Sequence, residues 1–277
     1  MRLSILKRNM KSLVIIPAYN EAENIGSVIA EIRGLHAAID LVVVDDGSAD
    51  ATAQIAERAG VKVLRLPFNL GYGAAVQTGL LYSVENGYDV CVLIDGDGQH
   101  DPQYIPQLLA PVETGEADLA LGSRFLGKAD YQIPLGRRLG ISLFRKLASW
   151  FTRQQITDPT SGFQAIHRRL MQFFVNDNYP HDYPDADTLI RLYFAGFRIK
   201  EVPVTIRPRL RGQSMHSGAT TLYYIYKMLF SIFIALTQKR MLRQGERHAV
   251  SHQNHDGGCE PARAADDHPV STTQTAR

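Results

Sequence analysis

Hydrophobic and polar positions alternate along this chain with two periods. Short apolar runs at Leu13–Ile16, Leu41–Val44, Val61–Leu66, Val90–Ile94 and Leu119–Leu121 have the length and β-branched content of buried strands. Between them, Glu21–Arg33, Asp50–Ala59 and Gly73–Asn86 read as amphipathic helices, with Asp50 placed to cap the second. Pro102 sits where a further helix begins. Strand–helix alternation at this spacing predicts βαβ units, an α/β fold with a mainly parallel central sheet flanked by helices. Open sheets of that kind bind ligands at the carboxyl ends of their strands.

The pattern changes in the second half. Gly136–Arg169 is basic and reads as helical, broken at "TDPTSGF" (157–163). "YPHDYPDAD" (179–187) is a proline-rich loop entering a helix over Thr188–Ala195; "FRIKEVPVTI" (197–206) reads as a late strand and "RPRLRGQSMHSG" (207–218) as a basic loop. Leu222–Leu236 is the most apolar stretch, with Leu222, Ile225, Tyr226, Leu229, Ile232, Phe233 and Leu236 at helical spacing. It is short for a bilayer span and Lys227 interrupts it. Tyr223, Tyr224 and Tyr226, followed by Lys239, Arg240 and Arg243, suit an interfacial helix on an anionic membrane surface. Packing on its own domain or in a homo-oligomer is the alternative. Beyond Arg243 the sequence is polar and aperiodic, which predicts disorder. The predicted organisation is an N-terminal extension (1–12), one α/β domain (13–218), an amphipathic helix (219–243) and a disordered tail (244–277).

Composition adds limits. A hydrophobic share of 45% and a charged share of 21% are ordinary for a globular protein, and a net charge of +2 argues against nucleic acid as a bulk partner. Cys91 lies in an apolar run and Cys259 in the polar tail, so no disulfide framework emerges, which fits a reducing cytoplasm. "MRLSILKRNMK" is basic, but its apolar stretch is too short for a signal peptide.

The polar residues that punctuate the strands carry the chemistry. "PAYNE" (17–21) follows the first strand, "DDGSAD" (45–50) the second and "DGDGQHD" (95–101) the fourth. Glu21, Asp45, Asp46, Asp95 and Asp97 should therefore share one crevice, where their mutual repulsion calls for a cation or a hydroxyl-rich ligand. Two carboxylates across a Gly turn suit Mg²⁺ or Mn²⁺, which leave coordination positions for phosphate oxygens. Gly71 and Gly73 of "NLGYGAAVQTG" lack a full dinucleotide fingerprint and instead allow a helix start to approach a nucleotide sugar. His100 and His167 belong to no catalytic pattern and read as structural.

Taken in order, "IIPAYNE", "VVVDDGSAD", "NLGYGAAVQTG", "DGDGQHDP", "GSRF" and "DPTSGFQA" resemble the family 2 glycosyltransferases. Within that family the chain is most similar to the polyprenyl-phosphate glycosyltransferases typified by dolichol-phosphate mannose synthase, over about Leu13 to Gly218. The resemblance implies a GT-A fold and inverting transfer of a hexose or N-acetylhexosamine from a nucleotide diphosphate sugar to a polyprenyl phosphate, at the inner face of the cytoplasmic membrane. It implies that Pro17, Tyr19, Glu21, Asp45, Asp46, Gly71 and Asp95 bind the nucleotide sugar. Asp95, Asp97 and Gln99 would hold Mg²⁺ or Mn²⁺. Arg124, Arg138, Ser142 and Arg209 would bind the acceptor phosphate, and Asp97, Arg124 and Arg138 would be catalytic. "YPHDYPDADTLI" departs from the usual sequence of the mannose synthases. The paired transmembrane helices of many bacterial relatives are absent, so a small membrane-anchoring protein is an expected partner. Two other readings stay open. A sugar hydroxyl as acceptor would need a base, for which Asp158, Asp185 and Asp187 are the candidates. A catalytically silent nucleotide-sugar sensor or scaffold would not need the intact Asp95–Asp97–Gln99 set.

Overall fold

In a computed structural model the described residues are 10–36, 38–126, 135–179, 186–207 and 229–234, with the side chains at 135–141 and 177–178 outside the description. The first half follows the predicted alternation: β1 (Ser12–Ala18), α1 (Ile25–Leu35), β2 (Asp40–Asp45), α2 (Thr52–Arg58), β3 (Lys62–Arg65), α3 (Tyr72–Glu85) and β4 (Val90–Leu93). A short 3-10 turn at Pro102–Tyr104 leads into α4 (Ile105–Glu113), and β5 (Leu119–Ser123) and α5 (Leu135–Thr152) follow. The remaining elements are β6 (Gln164–His167), α6 (Arg168–Phe173) with a π turn at Phe174–Asn178, α7 (Ala186–Phe194) and β7 (Ile199–Pro203).

Among the described residues the strands form one seven-stranded sheet in the order β3-β2-β1-β4-β6-β5-β7. The β1–β2, β1–β4, β2–β3 and β5–β7 pairs are parallel, whereas β6 runs antiparallel to both β4 and β5. Each face of the sheet carries its own core. Leu13, Ile15, Leu80, Leu93 and Phe144 pack on one side, and Val14, Ile16, Ile29, Val92 and Leu108 on the other. Burial on both faces explains why the strands read as continuous apolar runs.

Two expectations are corrected here. Gln164–His167 was expected within a helical stretch but is a central strand. Its four residues are too few to show a period, and Phe163, Ala165 and Ile166, all fully buried, fit a strand sandwiched between two layers. Asp50 does not sit at the N-cap of α2, which is Ala51. It caps from one residue earlier: Oδ1 accepts from the Thr52 backbone N–H at 2.9 Å and Oδ2 from that of Ala22 at 3.0 Å, tying the loop after β1 to the start of α2.

Of the predicted amphipathic helix, only residues 229–234 are described; they are helical. Ile232 is buried, whereas Leu229 and Phe233, which share its apolar face by spacing, are 44% and 62% exposed, and Phe230 is 54% exposed. The Ser231 hydroxyl donates to the Asp187 carboxylate on α7. No helix among the described residues is long and apolar enough to cross a membrane. The extension at 1–9 and the tail from 235 onward lie outside the described residues.

Candidate active site

Register brings the polar strand ends together. Pro17 pairs with Val44 and Ala18 with Asp45, while Ile15 pairs with Leu93 on the other side of β1. The Asp46 N–H donates to the Ala18 carbonyl at 2.9 Å, and the Ile94 N–H to that of Ile15 at 3.1 Å. Residues following β1, β2 and β4 thus open onto one edge of the sheet, as the parallel topology requires.

On the β2 side, Asp45 and Asp46 are both 4% exposed. Asp46 accepts from the backbone N–H groups of Leu70 and Gly71, at 2.8 and 2.9 Å, and so holds the loop that starts α3. Gly71 has φ of 96°, a backbone conformation that favours glycine. Asp45 Oδ1 accepts from the Ser48 N–H at 3.3 Å. Glu21 accepts from the Asn24 side-chain amide at 2.7 Å, while its own N–H donates to Thr52 Oγ1 at 2.8 Å. Tyr19 is 42% exposed at the mouth of this corner.

On the β4 side stands Asp95. Its Oδ1 accepts from the Tyr72 hydroxyl at 3.2 Å and its Oδ2 lies 3.1 Å from His100 Nε2. Burial disfavours its charge most strongly, but the hydrogen bonds from His100 and Tyr72 and the positive charge of Arg124 outweigh that and hold the carboxyl below its ordinary range. Asp97 Oδ1 accepts from the Gln99 N–H at 3.0 Å, an Asx turn over Asp97–Gln99 that follows the Asp-Gly-Asp segment. Among the described residues no group of three or more His, Cys, Asp or Glu side chains is placed to hold a metal. Two carboxylates and one amide are nevertheless a donor set that suits Mg²⁺ or Mn²⁺ sharing a substrate diphosphate, because such ions take one or two carboxylates and complete their shell with phosphate and water.

The "TDPTSGF" loop joins this corner to a cationic one. Asp158, fully buried, accepts from Arg124 Nε and Nη2 at 2.6 Å each, and from the Arg124 N–H at 3.1 Å; Thr160 Oγ1 lies 2.7 Å from the same Nη2. At the other end of the loop Gly162 backs onto Asp95: a Cβ there would stand 3.3 Å from Asp95 Oδ2 and 3.2 Å from the Tyr72 hydroxyl. Glu201 of β7, which nothing in the sequence pattern singled out, accepts from the N–H groups of Thr157 at 2.8 Å and Asp158 at 2.7 Å and from the Thr157 hydroxyl at 2.9 Å. Burial, reinforced by the nearby Asp158, raises its carboxyl above the ordinary value. A cavity of about 350 Å³ opens between α5 and this loop, lined by Arg145, Lys146, Ser149 and Thr157 among others.

The chain after β7 returns to the aspartates. His100 bridges Ile206, the Arg207 N–H donates to the Gln99 carbonyl at 2.8 Å, and the Arg207 guanidinium pairs with Glu31 at 2.7 Å and Asp101 at 2.8 Å. Arg209 and Asp185 lie outside the described residues, as does the side chain of Arg138, whose backbone belongs to α5. Ser142 is half-buried on the same helix. Neither described candidate base stands open: Asp158 is enclosed by Arg124, and Asp187 is 7% exposed and bonded to Ser231. His100, read as merely structural, directly contacts Asp95, a pairing that no local spacing signals.

The family model described as Glycosyl transferase family 2 matches residues 13–179. An undecaprenyl-phosphate mannosyltransferase of Micrococcus luteus is 33% identical over 225 residues, covering 76% of this chain and 88% of that protein. A polyprenol monophosphomannose synthase of Mycolicibacterium smegmatis is 31% identical over 236 residues, covering 80% and 87%. Among solved structures, glucosyl-3-phosphoglycerate synthase of Mycobacterium tuberculosis, in complex with Mn²⁺, UDP-glucose and phosphoglyceric acid, superposes with a TM-score of 0.60 at 25% identity, covering 84% of this chain and 80% of the other.

Proposed function

This chain belongs to glycosyltransferase family 2 and has a GT-A fold, and we propose that it transfers a hexose or N-acetylhexosamine from a nucleotide diphosphate sugar to a polyprenyl phosphate, with inversion. The observation that carries the reading is the link between the two corners: one loop binds Arg124 through Asp158 and Thr160 and backs onto Asp95 through Gly162. The two relatives named for polyprenyl phosphate acceptors support the same reading.

In this reading the corner of Pro17, Tyr19, Glu21, Asp45 and Asp46 takes the nucleoside, and the loop held by Asp46 closes beside the sugar. Asp95, Asp97 and Gln99 would hold Mg²⁺ or Mn²⁺, which supplies charge neutralisation for the departing diphosphate. Arg124, with Arg138, Ser142 and Arg209, receives the acceptor phosphate through charge-assisted hydrogen bonds. A phosphate oxygen attacks the anomeric carbon as its bond to the diphosphate breaks on the opposite face, and the nucleoside diphosphate leaves. The acceptor is already anionic at neutral pH, so positioning and charge stabilisation do the work and no general base is required. That agrees with the enclosed state of Asp158 and Asp187. Exposed Leu229, Phe230 and Phe233 suit a seat at the cytoplasmic face of the membrane, where a lipid acceptor is found.

The test is incubation of the protein with Mg²⁺ or Mn²⁺, a panel of UDP and GDP sugars and undecaprenyl or dolichyl phosphate, with glycolipid detected by mass. A sugar–phosphate lipid made by the wild type and lost in Asp97→Asn is the expected result. Donor cleavage with no glycolipid under any condition would move the acceptor to another class.

A further inference from the structure

We propose that His100 is a positioning residue for Asp95, holding that carboxylate in the orientation from which it meets a divalent cation; the proposal rests on the metal-dependent reading above. His100 is only 7% exposed, and its Nε2 lies 3.1 Å from Asp95 Oδ2. Its other ring nitrogen, Nδ1, is buried and has no hydrogen-bond partner among the described residues. Here the polar chemistry of the ring is directed to Asp95.

The ring is itself held in place. Its centroid is 5.0 Å from that of Phe163, tilted by 34°, and its backbone bridges Ile206. Phe163 adjoins Gly162, which backs onto the same aspartate. Asp95 is therefore fixed on two sides, by Tyr72 at Oδ1 and by His100 at Oδ2, and each oxygen retains lone-pair capacity for a cation. Groups that orient a ligating carboxylate in this way set metal affinity, and their loss typically weakens it about 10–100-fold.

Two substitutions separate packing from hydrogen bonding. His100→Phe keeps a ring against Phe163 and removes the donor. His100→Gln places an amide nitrogen where Nε2 stood. Free Mn²⁺ is followed by electron paramagnetic resonance during titration into the full chain with UDP or GDP present, and circular dichroism confirms the fold of each variant. The expected result is about 10–100-fold weaker Mn²⁺ binding in His100→Phe, with most of the loss restored in His100→Gln. Equal Mn²⁺ affinity in the wild type and a folded His100→Phe would overturn this proposal alone, and so would a folded Gln variant as weak as the Phe variant. Absence of Mn²⁺ binding by the wild type would overturn the metal-dependent reading and this proposal with it.

Discussion

Replacement of Asp158 by Asn tests whether the buried ion pair builds the acceptor corner. The substitution preserves shape and removes a charge. Arg124 loses two charge-assisted bonds of 2.6 Å, and one of the two atoms it faced becomes an NH₂ donor. Asp158 is fully buried and the Arg124 side chain 12% exposed, so water cannot readily replace the lost partner. Removing one member of a buried pair costs about 3–5 kcal/mol. Thr160 Oγ1 still accepts from Arg124 at 2.7 Å, which places the expectation near the lower end, about 3 kcal/mol. For a domain of this size that lowers the thermal midpoint by roughly 6–12 °C. Urea titration and calorimetry read the loss, and steady-state kinetics on the folded fraction should show KM for the polyprenyl phosphate rising more than KM for the donor. A destabilisation below about 1 kcal/mol, of the size of an exposed pair, would refute the argument that Arg124 is held by a desolvated partner.

Three further outcomes follow from the geometry. Gly162→Ala should lower kcat at least several-fold with little change in thermal midpoint, because its Cβ would press on Asp95 and the Tyr72 hydroxyl at 3.2–3.3 Å; unchanged kcat would contradict that contact. Asp46→Ala strands the N–H groups of Leu70 and Gly71, and should raise donor KM by about 1–2 kcal/mol equivalent, roughly 5–30-fold, with acceptor KM unchanged in the same kinetic runs. Asp118 is strongly buried, which alone would raise its carboxyl, but hydrogen bonds from Arg198 and the charges of Arg198 and Arg169 hold it below its ordinary value of 3.8. Its stabilising contribution is therefore present above that value and lost as pH falls through the depressed one. The stability gap between wild type and Asp118→Asn, measured by urea titration, should narrow as the pH drops below about 4; a constant gap would show that the carboxylate does not carry it.

The parallel half of the fold was legible because β1, β2 and β4 are buried on both faces and the helices between them on one, so both periods stand out in the sequence. Asp46 and Asp95 could be assigned to one edge of the sheet because neighbouring parallel strands must end side by side. What the sequence hid was contact across long separations. β6 is four residues long, and only its position between β4 and β5 makes it a strand. Tyr72 and Gly162 meet at Asp95, yet they come from a helix start 23 positions earlier and a loop more than sixty positions later. Glu201 is one charge in an ordinary strand sequence, and only the fold turns it toward the backbone of Thr157 and Asp158. On 222–236 helical spacing marks an apolar face without saying what covers it; among the described residues Ile232 is buried while Leu229 and Phe233 are exposed.

The central claim is that the acceptor is a phosphate already ionised. Its most direct test offers the enzyme undecaprenyl phosphate and undecaprenol side by side, with the same donor and metal, and quantifies glycolipid by mass across pH 6 to 9. The account predicts product from the phosphate alone, with a rate that shows no rise attributable to a side-chain base. Product from undecaprenol at a comparable rate would contradict it.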